Sequence, residues 1–137
     1  MKDYVAVTIP SHPKYLSVVR AMTSKVGQVN GIDEAVLEDI KLAVDEACAN
    51  VIKHAYSGNT SGKIVIKYKT TPDIYQVIIT DNGIKAQNDL LKGRDLDDVR
   101  PGGLGVHFIK RVFDVFELDE KKKKGNRLIL IKRLHQA

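Results

Sequence analysis

The chain has no tryptophan, one cysteine and few aromatic residues, 6% of 137. A lone Cys48 excludes an internal disulfide and a cysteine-based zinc cluster. Set among apolar residues of a helical pattern, it reads as a buried structural thiol, because thiolate activation needs exposure and nearby cations. No apolar run approaches the roughly 20 residues of a membrane span. The opening MKDYVAVTIPS alternates polar with apolar positions and has no continuous apolar core, unlike a secretory signal. A cytoplasmic protein without membrane contact is the expectation. The poverty in aromatics also bears on the net charge of +5 and pI of 9.3. Nucleic-acid binding usually adds stacking aromatics or a groove-reading element to basic charge, and neither is visible. Much of the excess lies in Lys121–Lys124, before Gly125 and Asn126, where a solvated hairpin tip is expected. The charge better suits attraction of polyphosphate or an acidic protein.

What is present is an ordinary globular balance, 43% apolar and 28% charged, and a length that fits one domain over residues 1–137. Tyr4–Ile9 reads as a strand closed by Pro10, with Ser11 offered as a helix N-cap. Tyr15, Val18, Val19, Met22 and Val26 repeat at helical spacing up to the turn at Asn30 and Gly31. Asp33 can cap a longer helix, whose stripe runs through Val36, Ile40, Ala43, Ala47 and Val51 and is widened by Leu37, Val44 and Cys48. That helix should end near Tyr56, before a polar loop. Lys63–Tyr68 and Ile74–Ile79 read as strands joined by a turn at Thr71-Pro72-Asp73. Residues 84–101 are polar and poorly periodic, a loop or a short helix. A helix after Gly105 should face inward with Val106, Ile109, Val112 and Phe113, and Val115–Leu118 and Leu128–Ile131 close the chain as strands. The order β-α-α-β-β-loop-α-β-β predicts an α/β sandwich: a mixed, mostly antiparallel sheet with helices on one face.

Three elements could carry chemistry. Glu46, Asn50 and Lys53 fall at i, i+4 and i+7 and so share a helix face beside the apolar stripe. A carboxylate, an amide oxygen and an ammonium in that line suit a magnesium–phosphate site, since Mg²⁺ takes hard oxygen ligands and keeps several waters. An ordinary solvated face explains them as well. Asp81-Asn82-Gly83 follows a buried strand, where an aspartate can accept a hydrogen bond from an exocyclic amine; turn chemistry alone also accounts for it. Finally, Gly102, Gly103, Leu104 and Gly105 open a helix, where backbone N–H groups favour a phosphate. No G-K-[ST] follows them, so this is not a P-loop, and a flexible hinge is the alternative.

Taken in order, the three resemble one family. The run from Asp45 to Tyr56, with its E-A-x-x-N-x-x-x-H-x-Y form, is similar to the N-box of the GHKL (histidine kinase-like) ATPases; Asp81-Asn82-Gly83 and Gly102–Gly105 are similar to its two glycine boxes. The short lid and chain length resemble the anti-sigma-factor serine/threonine kinase branch. That resemblance implies the Bergerat-type ATP-binding fold, with ATP and Mg²⁺ bound. It implies Glu46 as the catalytic group activating the attacking hydroxyl, Asn50 as the Mg²⁺ ligand, and Asp81 as acceptor for the adenine amino group, with Gly83 keeping the base pocket open. It also implies that Gly102, Gly103 and Gly105, with Leu104 among them, wrap the phosphates and hinge a lid at about 84–101, with Lys53 a phosphate neighbour. The implied partners are an anti-sigma-factor antagonist of the STAS class, a sigma factor, or both, and a second copy of the chain paired through the N-terminal strand. The sequence departs from the family pattern at Ile84-Lys85-Ala86, at Pro101 (leaving Arg100 or Arg94 to reach the γ-phosphate) and at Gly125-Asn126-Arg127, where many relatives carry a threonine. A nucleotide-responsive binding module with little phosphoryl transfer is the alternative function.

Overall fold

The computed structural model describes residues 3–86 and 104–134. Five strands, β1 (Val5–Pro10), β2 (Lys63–Thr70), β3 (Ile74–Asp81), β4 (Val115–Leu118) and β5 (Asn126–Arg133), form one sheet in the order β1-β2-β3-β5-β4. All four pairings are antiparallel, so the mixed sheet anticipated from the sequence is antiparallel throughout the described strands. Helices α1 (Leu16–Val29), α2 (Glu34–Asn50) and α3 (Leu104–Val112) cover one face.

The register puts Ile9, Ile64 and Asp81 in one inward row, Ile66, Ile79 and Leu128 in the next, and Tyr68, Val77 and Leu130 in a third, because Cα partners across a sheet share a face. Burial in β2 and β3 alternates accordingly. Against these rows α2 sets Leu37, Ile40, Ala43, Val44, Ala47 and Cys48, all fully buried or nearly so. The Cys48 thiol is pushed up to about 12, first by burial and then by neighbouring Asp45, which fits an inert core thiol. In α1 the inward row is Val19, Thr23 and Val26, whereas Val18, expected on the apolar stripe, is exposed. A buried threonine displaced the stripe: its hydroxyl bonds the Val19 carbonyl and meets the Tyr68 hydroxyl at 2.8 Å.

Ser11 is not the N-cap its position suggested. The first turn is a 3₁₀ segment, Pro13–Tyr15, capped by His12 through Nδ1. Ser11 is instead fully buried, donating to the Asn59 carbonyl and accepting from the Gly62 N–H, so it ties β1 to the loop before β2. Asp33 stands at the N-cap of α2 without a side-chain bond.

The end of α2 positions the site. After Asn50 the helix widens into a π turn, Val51–Ala55, closing at Tyr56. Such bulges add a residue to the turn and recur at functional sites.

Candidate functional site

Between the sheet and the helices, at the end where β3 runs out, lies a cleft of about 550 Å³, within the range of small-molecule sites. Its walls are apolar: Ile79 from β3, Phe116 and Leu118 from β4, Leu128 from β5, and Val106 and Ile109 from α3. Polar groups enter at few points: Asn50 and His54 from α2 and its π turn, Asp81 and Asn126 from the ends of β3 and β5, and Lys85 from the turn beyond β3.

Asp81 is 2% exposed. Its Oδ1 accepts from the Gly83 N–H at 2.9 Å and from the Asn126 side-chain amide at 3.0 Å, while Oδ2 stands 3.3 Å from that same nitrogen. Burial pushes the carboxyl above the usual aspartate range, against the pull of those donors and of Lys122. A carboxylate offers about four acceptor positions, so Asp81 keeps capacity for another donor from the cleft it lines.

The turn beyond Asp81 is clamped to the helix. Ile84 N–H donates to the Ala55 carbonyl at 2.7 Å, and Asn82 N–H donates to the Tyr56 hydroxyl at 2.9 Å. A Cβ on Gly83 would lie 2.2 Å from the Ala55 oxygen, so only glycine lets the two backbones meet. Gly83 thus seats the turn against the π turn, in addition to any freedom it leaves a ligand.

The adjacent carboxylates of α2 point to different neighbours. Asp45 takes Arg20 of α1 at 2.6 Å. Glu46, half-buried, lies against the first turn of α3: a Cβ on Gly105 would stand 2.1 Å from its Oε2. The first turn of a helix presents N–H groups without intrahelical partners and a partial positive charge, a setting that favours a carboxylate or another anion. Asn50 is half-buried, lines the cleft, and makes no side-chain hydrogen bond among the described residues. Lys53 is exposed and outside the cleft lining, which takes His54 instead. The widened turn after Asn50 shifts the side chains that follow, so spacing counted on a regular helix does not carry Lys53 onto the line of Glu46 and Asn50.

Leu104 begins α3. Arg94, Arg100, Pro101, Gly102 and Gly103, with most of the lid, lie outside the described residues. From the sequence, Asn126 is a hairpin-tip residue and a departure from the family pattern. The structure puts it 7% exposed beside Asp81, also joined to Ile84 and Ala86. No local signal marks it: an asparagine following a glycine at a strand start is a turn residue by default, and only the β3–β5 register, Asp81 opposite Asn126, shows its partner.

A family model described as a histidine kinase-like ATPase domain matches residues 9–132. The serine-protein kinase RsbW of Listeria innocua is 32% identical over 126 residues, covering 86% of this chain and 80% of that protein. The serine-protein kinase RsbW of Bacillus subtilis is 31% identical over 120 residues, covering 82% and 75%. Among solved structures, one of the RsbU and RsbW domains of a Mycobacterium tuberculosis protein superposes with a TM-score of 0.69 at 18% identity. It covers 96% of this chain, which spans 32% of the larger one, and speaks for the fold.

Proposed function

Since the chain belongs to the histidine kinase-like ATPase family, among relatives named serine-protein kinase RsbW, we propose that its cleft seats ATP for phosphoryl transfer to a serine or threonine of a protein partner. The observation that carries this reading is Asp81, a buried carboxylate with acceptor capacity to spare, opening into a mostly apolar cleft. An exocyclic amine is the donor that such a group lacks, and apolar walls suit a purine. ATP binding follows from the family.

Asn50, at the same cleft and unbonded among the described residues, is the group suited to hold Mg²⁺. No cluster of three His, Cys, Asp or Glu that could hold a metal exists among the described residues. Mg²⁺ prefers hard oxygen ligands and keeps several waters, so one amide oxygen with phosphate oxygens can hold it. Bound there, Mg²⁺ would supply charge neutralisation on the phosphates. Glu46 lies one helical turn before Asn50, on the side of α3, and is the group to accept the proton of the attacking hydroxyl. Residues 84–101 act as the lid, with Gly102, Gly103 and Gly105 around the phosphates and Arg100 at the γ-phosphate; the whole chain serves as one domain.

Partner binding accompanies the kinase role. The partners are an antagonist of the STAS class, a sigma factor, or both. The free edge of β1, bonded only to β2 among the described strands, carrying exposed Val5 and preceded by exposed Tyr4, suits pairing with a second copy. The cytoplasm is the proposed place of work; no helix among the described residues is long and apolar enough to cross a membrane.

Glu46→Gln tests the catalytic assignment. It should keep ATP affinity within about twofold while phosphate transfer to a partner falls by roughly 10²–10⁴. Transfer at the wild-type rate would remove Glu46 from the role. A second reading, a nucleotide-responsive switch with little transfer, is favoured by the way Ile84 and Ala86 at the lid root are bonded down. Incubation of the wild-type protein with labelled ATP and a cognate partner separates the two, since only the kinase leaves label on the partner.

A further inference from the structure

Asn126 opens β5 beside the end of β3 and is nearly as buried as Asp81. One of its amide N–H groups points to the Asp81 carboxylate, at 3.0 Å from Oδ1 and 3.3 Å from Oδ2. The same nitrogen donates to the Ile84 carbonyl at 2.9 Å, and Oδ1 accepts from the Ala86 N–H at 2.7 Å. An asparagine amide has two donors, and both are engaged here. Turning it over would set its oxygen against two acceptors and its NH₂ against a donor, so only one orientation fits. The backbone leading to it is held as tightly. Gly125 has φ +71°, and a Cβ there would stand 2.0 Å from the Asp81 carbonyl oxygen. The β4–β5 hairpin therefore rests directly on Asp81 and delivers the Asn126 amide to one place.

We propose that Asn126 is a positioning residue for base selectivity, fixing the Asp81 carboxylate and the Ile84–Ala86 backbone in one register so that Asp81 presents its unused acceptor capacity to the exocyclic amine of a purine. The proposal rests on the reading of Asp81 as the base acceptor. A carboxylate can turn about its Cβ–Cγ bond, and discrimination between an amine and a carbonyl on the same ring needs that turn prevented. The Gly83 N–H fixes one oxygen, and the Asn126 amide, placed beside both, removes the remaining freedom. The same amide links the acceptor to the backbone of Ile84 and Ala86.

The test compares ATP with inosine triphosphate, which carries a carbonyl where adenine has its amino group. Binding to the full chain is measured by calorimetry for the wild type, Asn126→Ala and Asn126→Ser, with thermal unfolding as the check on fold. The wild type should prefer ATP by about tenfold or more, the value of one charge-assisted hydrogen bond. In Asn126→Ala the ATP affinity should drop about tenfold while inosine triphosphate changes little, so that the ratio collapses towards one. Asn126→Ser keeps one hydroxyl donor but not the amide fork and should show a smaller collapse; it decides the matter if the alanine variant does not fold. A wild-type ratio retained in the folded variants, or both nucleotides weakened equally, overturns the proposal and leaves Asp81 as the acceptor. A wild type with no preference overturns the Asp81 reading itself, and this proposal with it.

Discussion

Strand β3 carries a buried polar side chain at each end of its inward face, Tyr75 and Asp81, and the two ends behave differently. Tyr75 donates its hydroxyl to the Thr23 carbonyl at 2.8 Å, packs edge-on against Tyr68, and stands in a closed group with Thr23 and Val19. Asp81 is also bonded, but keeps acceptor capacity and borders an open cleft. Burial pushes both groups up from their ordinary values, in each case chiefly by desolvation. A buried polar group that its own neighbours satisfy holds a fold together; one left short beside a cavity is waiting for a ligand. Position in the sheet does not distinguish them. The completeness of their hydrogen bonding does.

Removing the ligand-facing end should have the largest effect. Asp81→Ala is expected to weaken ATP binding by roughly 10–100-fold, the value of a hydrogen bond to a charged group, as measured by calorimetry. Full affinity in that variant would erase the distinction between the two ends. Next comes Gly83→Ala, which forces the turn away from the Ala55 carbonyl. It should cost about 1–3 kcal/mol in urea unfolding and weaken ATP binding with it, because the turn seats Asp81. Unchanged stability would mean that the two backbones need not touch.

At the closed end, Tyr75→Phe should cost about 1 kcal/mol of stability and leave ATP affinity unchanged. A loss of nucleotide binding there would show the two ends coupled along the strand. The smallest effect is a matter of pH. The folded Asp81 carboxyl lies above its unfolded value, so its contribution to stability is full below the unfolded value and is lost as pH rises through the folded one. Asp81→Asn removes that loss, so the stability of the variant relative to wild type should rise with pH across that window, read from urea midpoints. A difference that stays flat would mean that burial does not raise this carboxyl.

Much of this was legible beforehand. Strand and helix positions follow from alternation and helical repeats, as with the inward Ile64, Ile66 and Tyr68 of β2 or Val106, Ile109, Val112 and Phe113 at α3. Glu46 and Asn50 stood out by their helical spacing and Asp81 by its place after a buried strand, and the family resemblance set them in order. Thr23 and Ser11 were missed as core residues, because a hydroxyl can be buried wherever a carbonyl accepts it, and sequence does not say where carbonyls are. Lys53 was put in line with Glu46 and Asn50 by counting on a regular helix, which the π turn interrupts.

The sequence by itself determined the inventory: which faces are apolar, where turns fall, and which polar side chains are available, since these depend on neighbours a few residues apart. Only the tertiary structure decided which of those polar groups would be complete and which left open. That depends on contacts between distant segments: Thr23 meeting Tyr75 closes one end of β3, while Asn126 meeting Asp81 steadies the other without filling it.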